Sequence, residues 1–331
     1  MRAAIIGAGI AGLNLARRLA QRGIDVRLFE KARGPSGRLS TRRAEVGQFD
    51  HGAQYLTARD PVFRAQIDDW LARQIVAPWT GRIVRLTAGR GAGDAPALAE
   101  SKERFVGRPR MSALARDLLG ELPIEVGVRI ESASRLRKRW TLVAETGESY
   151  PDFDALLLAV PAPQALPFLD RVPTTRSKVE GVGMLPCHAV MIRFATELDA
   201  GFEGAFVEGP ELSWVALDSS KPGRGPDPCW LLHSQAEWSA ANVDLESADV
   251  IRALLAGFER ALGRSLPEVA FSSAHRWLYA RTGAALSDRA IWHPEQGLGL
   301  CGDWLQGDRV EDAYLSGEAL AERVCPSGEA R

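Results

Sequence analysis

The sequence predicts an α/β fold, a doubly wound parallel sheet for nucleotide binding with an antiparallel-sheet domain inserted into it. Three observations carry that prediction. The first thirty residues read as strand, glycine turn, helix and strand. Continuous apolar runs return at Ala155–Val160 and again before Gly302, as strands buried on both faces require. Between them, from about Leu166 to Ala274, the pattern changes to short strand-like runs and one amphipathic helix, which suits a second domain. The expected organisation is residues 1–75, 105–165 and 275–331 for the nucleotide domain, and 76–104 with 166–274 for the second.

Taken in order, Ala3 to Ile6 form the first apolar strand, and Gly7, Gly9 and Gly12 match G-x-G-x-x-G. Leu13, Leu15, Ala16, Leu19 and Ala20 follow at helical spacing, Gly23 ends the helix, and a second strand ends on Glu30. In this context each glycine has a task. Gly7 makes the tight turn, Gly9 lets the backbone approach a pyrophosphate, and Gly12 lets the helix pack on the sheet. The helix N-terminus offers unpaired N–H groups to the phosphates, and Glu30 can accept from two ribose hydroxyls while repelling a 2′-phosphate.

Lys31 to Arg43 is a Gly/Pro-punctuated loop, in which Gly37 permits close approach and the arginines could cover a pyrophosphate or simply face solvent. Asp60-Pro61 starts a helix to about Arg73, with apolar spacing through Phe63, Ile67, Trp70 and Leu71. Val76 to Arg104 reads as irregular or weakly β, with a Gly/Ala-rich tip from Ala88 to Ala97. A short helix is expected at Met111–Leu119, then strands at 124–130, 134–136 and 140–145. Further strands are expected at 189–194, 205–208, 213–217 and 230–234, followed by a helix with Val250, Ile251, Leu254, Leu255, Phe258 and Leu262 on one face. Gly302-Asp303 closes a strand, and Gly307 to Glu311 opens a last helix, a second anion-binding element.

The 331 residues are 46% hydrophobic with a net charge of −1, which gives no electrostatic case for nucleic acid or an anionic membrane. No apolar run reaches the length of a membrane span. Met1 to Ala20 resembles a signal peptide only superficially, because the nucleotide motif lies inside it. Cys187, Cys229, Cys301 and Cys325 are scattered without a C-x-x-C, so they are expected as free thiols in the cytoplasm, with no metal site.

The glycine motif, the Gly37-Arg38 loop and the Gly302-Asp303 ending together resemble the glutathione-reductase-like FAD-binding superfamily, in its flavin amine oxidase branch. Ser36 stands where family patterns often carry another glycine. Within that branch the chain is similar to the bacterial renalase-like proteins. The carrying stretches are Asp50–Asp60, Ala159–Gln164, Ser220–Arg224, His275–Arg281 and Arg309–Glu311. The resemblance implies a Rossmann-like FAD-binding domain of the GR2 type and a non-covalent FAD. It implies oxidation of 2- or 6-dihydro isomers of NAD(P), hydride passing to flavin N5 and electrons to O₂, giving NAD(P)⁺ and hydrogen peroxide. By the same resemblance Gly7, Gly9, Ile10, Ala11 and Gly12 hold the pyrophosphate, Glu30 with Lys31 the ribose, and Val128 the adenine. Gly37, Arg38, Ala53, Gln54, Tyr55, Gly302, Asp303, Arg309, Val310 and Glu311 are the remaining cofactor contacts.

Hydride transfer needs a flat pocket that aligns donor and acceptor more than it needs a base. Gln54, Tyr55, Trp214, His233, Trp238 and Tyr279 are the candidates to line it, core packing being the alternative for each. Two other readings stand beside this one. Flavin amine oxidases resemble one another in a lysine on the strand entering the substrate domain, and Cys187 to Phe194 has none. Escort-type binding proteins share the fold without turning over flavin, and the intact Gly302-Asp303 element speaks against that reading.

Overall fold

Strand β1 (Arg2–Ile6) lies inside a six-stranded sheet because both its faces are apolar, with Ala3, Ala4 and Ile5 fully buried. In this computed structural model, which describes residues 1–87 and 103–326, the strand order is Ile291–His293, Leu298–Leu300, Ala155–Leu158, β1, β2 (Asp25–Glu30) and Ile124–Val126. The pairings are parallel except at the edge, where Ile291–His293 runs antiparallel to its neighbour. The Gly/Ala-rich tip expected from Ala88 to Ala97 lies outside the described residues.

Helix α1 (Ile10–Gln21) connects β1 to β2 and packs against the C-terminal helix Val310–Val324. The two helices touch backbone to backbone, since a Cβ on Gly317 would stand 2.3 Å from the Ala11 carbonyl oxygen. Asn14 Nδ2 donates to the Tyr314 carbonyl at 2.9 Å across that contact. Beneath the other face, a three-stranded meander (Ile130–Leu136, Arg139–Ala144, Ser149–Phe153) buries Trp140 and Phe153 against Phe29, Leu156 and Leu158. The expected helix after Asp60 is Pro61–Ala72, and Asp60 caps it by accepting from the Val62 amide at 2.9 Å.

A second six-stranded sheet has the order Val269–Thr282, Met184–Phe194, Cys229–Ser234, Leu212–Leu217, Gly204–Glu208 and Ile83–Thr87. It is antiparallel except for its last pairing. Helix Ser247–Leu262 covers one face, burying Val250, Leu254, Phe258 and Leu262 on Val190, Ile192, Val215 and Leu232. The other face turns toward the first domain, with Ala189, Met191, Cys229 and Leu231 packed on Phe49. Strand Val269–Thr282 runs unbroken past residue 275, where the sequence reading ended the second domain, and stays paired with Met184–Phe194 to Thr282. The strand is only partly buried, so its sequence carries no apolar run to mark its length.

The four cysteines are free thiols. No helix among the described residues is long and apolar enough to cross a membrane. Among those residues no group of three or more His, Cys, Asp or Glu is placed to hold a metal ion.

The loop after β2 contains one strained position. Ser36 has φ +146°, a region that favours glycine, while its amide donates to the Ala8 carbonyl at 3.0 Å. Such strain costs about 1–3 kcal/mol, and glycine gives back part of that through unfolded-chain entropy. Ser36→Gly should therefore stabilise the fold by about 1 kcal/mol, read as a rise of about 1–2 degrees in the melting temperature. An unchanged or lower melting temperature would show that the loop carries no strain.

Candidate active site

Three glycines shape the first part of the site in three different ways. Gly7 has φ +100°, and a Cβ there would stand 2.5 Å from the Ala159 carbonyl oxygen. A Cβ on Gly12 would lie 2.0 Å from the Gly7 oxygen, so only glycine lets α1 come this close to the strand. At Gly9 a Cβ would meet nothing within 4 Å, so the backbone faces open space where a phosphate can approach. The first bond inside α1 runs from the Leu13 amide to Gly9 at 3.0 Å. The Ile10, Ala11 and Gly12 amides therefore precede the helical ladder and point out of the helix start.

The carboxyl ends of the parallel strands supply the rest of the cradle. Glu30, buried at the end of β2, accepts from the Ala8 amide at 2.9 Å and the Ala32 amide at 2.8 Å. These bonds hold the carboxylate against the glycine loop. The Val128 amide donates to the Glu30 carbonyl at 3.0 Å, bringing Val128 to the same strand end. Lys31 reaches away to Gln164 Oε1 at 3.1 Å. Gly37 packs on Gly9, since a Cβ there would lie 3.2 Å from the Gly9 Cα. Arg38 forms a two-pronged pair with buried Asp303 at 2.8 and 2.5 Å, a geometry that fixes both partners. Gly302 (φ +156°) donates its amide to Ser316 Oγ at 2.8 Å.

At the start of the last helix the side chains are occupied by protein. Glu311 is buried and accepts from the Arg59 and Asp60 amides at 2.5 and 2.8 Å, while Arg309 pairs with Glu311 at 2.7 Å and donates to the Thr57 carbonyl. The Val310 and Glu311 backbone amides precede the first helical bond, from the Ala313 amide to Arg309 at 3.1 Å, and are left for a ligand. The open backbone over Gly9, the helix N-terminus and the fixed Glu30 and Asp303 carboxylates together fit a dinucleotide cofactor lying across the strand ends.

The second sheet brings a row of side chains to the same region. Cross-strand pairing sets Trp214 beside His233, His233 beside Ala189, and Ala189 beside His275. Directly paired residues share a face of a sheet. This is the face that meets the 49–55 loop. His51 stacks on Trp277 with ring centroids 5.1 Å apart and meets His275 edge-on at 4.8 Å. His233 Nε2 and Trp277 Nε1 both reach the His51 carbonyl, at 3.2 and 2.9 Å. Tyr55 lies beside Trp214 and Trp79, with centroids at 5.8 and 6.3 Å. A concavity of about 450 Å³ is lined by Trp79, Ser220 and Pro222.

Burial pushes the His233 imidazole down to about 4. At His51 burial, together with His275, Arg42 and His233 nearby, pushes it to about 3. Both rings are neutral at physiological pH.

Trp238 is a correction to the sequence reading. It packs edge-on against His188, centroids 5.7 Å apart, and joins the helix-covered face of the second sheet. His188 alternates with Ala189 along one strand, so the two point to opposite faces. Trp238 therefore belongs to core packing behind the sheet. Tyr279 sits in a partly exposed stretch where the strand register shifts.

Sequence reasoning missed a group of buried charges beneath Gln54. Lys221 and Asp218 form an ion pair with both side chains fully buried. Asp50 pairs with Arg224, also buried, and lies 3.9 Å from Lys221 Nζ. The Asp50 amide donates to Asp218 Oδ2 at 3.0 Å, and its carboxylate accepts from Thr41 Oγ1 at 2.6 Å and the Met111 amide at 3.1 Å. Burial opposes ionisation of Asp50, yet Lys221 and Arg224 hold its carboxyl below the usual range. The available signal was Lys221 itself, one of five lysines in the chain, in a Gly/Pro turn that follows an apolar strand.

Comparison with known proteins agrees with this geometry. Residues 5–70 match the NAD(P)-binding Rossmann-like domain. Residues 85–325 match the flavin containing amine oxidoreductase family. A zeta-carotene-forming phytoene desaturase of Myxococcus xanthus is 37% identical over 76 residues, which is 21% of this chain and 15% of the desaturase. The crystal structure of a protein assigned as a protoporphyrinogen oxidase, from Exiguobacterium sp. 255-15, superposes with a TM-score of 0.75 over 98% of both chains at 15% identity. That likeness is one of fold. With the family match spanning most of its length and the strand ends shaped for a dinucleotide, this chain belongs to the flavin containing amine oxidoreductase family.

Proposed function

We propose that the protein is a renalase-like oxidase with non-covalently bound FAD. Its substrates are 2- or 6-dihydro isomers of NAD(P), which it returns to NAD(P)⁺ while O₂ is reduced to hydrogen peroxide. The flavin, when bound, supplies the hydride acceptor and the reaction with O₂. One observation carries the reading. Among the described residues at the site, no strong base stands ready: burial makes His51 and His233 weak bases, although the His51 Nδ1 has no partner, and burial lowers the His275 pKa as well. His51 and His233 are neutral and packed, and the Lys221 ammonium is held by Asp218. Every polar atom of Gln54 is occupied by protein. A hydride donor that loses no proton before transfer suits such a site, and Tyr55 and Trp214 offer flat surfaces to a nicotinamide ring.

Oxidation of a small amine is the competing reading, and buried Lys221 is the observation in its favour. Its ion pair with Asp218 weighs against a base role, and the strand Met184–Phe194 has no lysine. Hydrogen peroxide should form with a dihydronicotinamide dinucleotide and not with primary or secondary amines. Peroxide from amines alone would overturn the proposal.

The pH dependence provides a second check. His51 and His233 lie well below this range and burial lowers His275 from the ordinary imidazole value, so flavin reduction at saturating substrate should vary only weakly between about pH 6 and 9. A profile with a tenfold or larger step there would require a base that this reading omits. Stability behaves differently. The folded-state pKa values of His51 and His233 lie below the unfolded value near 6.5. Their contribution is fully present above about pH 6.5 and is lost as pH falls toward 4, because the unfolded chain then binds more protons.

Non-covalent attachment rests on the cysteines. Cys301 is buried before Gly302 and Cys325 caps the last helix. Acid precipitation should leave the pellet colourless and release all the flavin. Colour retained in the pellet would contradict this.

A further inference from the structure

The four hydrogen-bonding positions of the Gln54 amide are all filled, and each partner permits only one orientation. Oε1 accepts from Lys221 Nζ at 3.2 Å and from Trp214 Nε1 at 3.3 Å, both of which can only donate. Nε2 donates to the carbonyls of Asp50 and Gly52, the latter at 3.0 Å, both of which can only accept. Gln54 is therefore a clamp between the second sheet and the backbone of its own loop. That loop reaches the cofactor cradle, because the Ala53 amide donates to the Arg38 carbonyl at 2.9 Å. A Cβ on Gly52 would lie 2.0 Å from the same oxygen. Arg38 then holds Asp303.

We propose that Lys221 is a positioning residue for the flavin site, acting through Gln54 to set the 50–53 backbone against Arg38. The ammonium lies 5.5 Å from the centroid of the Trp79 ring and is neutralised by Asp218, with Asp50 and Arg224 completing a balanced group of two cations and two carboxylates. Fixed charge is what this task needs. A neutral donor at 221 would leave two buried carboxylates facing a single cation, and Asp50 would be drawn from the loop contacts it makes. The inference rests on the flavin site and not on the identity of the substrate, so its test reads flavin binding and leaves the dinucleotide proposal untouched.

Removing Lys221 alone would strand a buried charge, so the informative variant is K221M/D218N, which deletes one cation and one carboxylate together and leaves the Asp50–Arg224 pair. It is compared with Q54M and with the triple variant, by equilibrium FAD titration, flavin absorption spectrum and melting temperature of the flavin-free protein. If Lys221 acts through Gln54, K221M/D218N and Q54M each weaken FAD binding by about tenfold and alter the flavin band in the same way, and the triple variant is no worse than either. Two results would overturn the proposal. One is unchanged FAD affinity and spectrum in K221M/D218N, whatever its melting temperature. The other is a triple variant whose loss of affinity equals the product of the separate losses.

Discussion

Two buried cations and two buried carboxylates join the two sheets of this protein. Lys221, Asp218 and Arg224 follow the Leu212–Leu217 strand of the second sheet, and Asp50 comes from the loop that leaves the nucleotide domain. Four charges removed from water would be unfavourable if any were unmatched, since desolvation costs several kcal/mol per ion. Here each charge has a counterion, and Asp50 also accepts from Thr41 and the Met111 amide. A hydrophobic contact would tolerate sliding between the domains, whereas these directional bonds between buried charges do not. The 50–55 loop inherits that fixed position, and through Arg38 so does the cofactor cradle.

The cradle is preorganised in the same manner. The Glu30 carboxylate is bonded to the Ala8 and Ala32 amides, and Asp303 is gripped by Arg38. A cofactor meeting these groups need not pay to order them. Both carboxylates stand at the carboxyl ends of parallel strands, the crevice at which ligands of open α/β sheets bind. The second sheet then closes over this crevice with a face of mixed aromatic and imidazole character. Burial lowers the pKa of its histidines, His233 to about 4.

Local pattern made much of this legible. Gly7, Gly9 and Gly12 could be assigned separate tasks because a strand and a helix flank them. Asp60-Pro61 named its helix through a cap whose chemistry lies within three residues. Ser36 marked a family glycine position and proved to hold a glycine-like φ. What depends on pairing between distant segments was not legible. The row Trp214, His233, Ala189 and His275 exists only through the register of four strands, and Trp238 lies on the short helix Ala236–Ala241 that packs on the opposite face. Lys221 was hidden for the same reason. Its two acceptors and its second counterion come from residues 54, 218 and 50, two of them more than 160 positions away. The segment in which a lysine was expected, residues 187–194, is separated by the Cys229–Ser234 strand from Leu212–Leu217, which leads to Lys221.

These features describe a cradle that fits a dinucleotide cofactor beside a wall of aromatic and imidazole side chains. The most direct measurement is rapid anaerobic mixing of the flavin-loaded protein with each reduced nicotinamide dinucleotide isomer, followed by the bleaching of the oxidised flavin band. The account predicts fast, stoichiometric bleaching by a 2- or 6-dihydro isomer and slow or no bleaching by the ordinary 4-dihydro coenzyme. Bleaching by the 4-dihydro form alone, or by none of the three isomers while an amine bleaches the flavin, would contradict it.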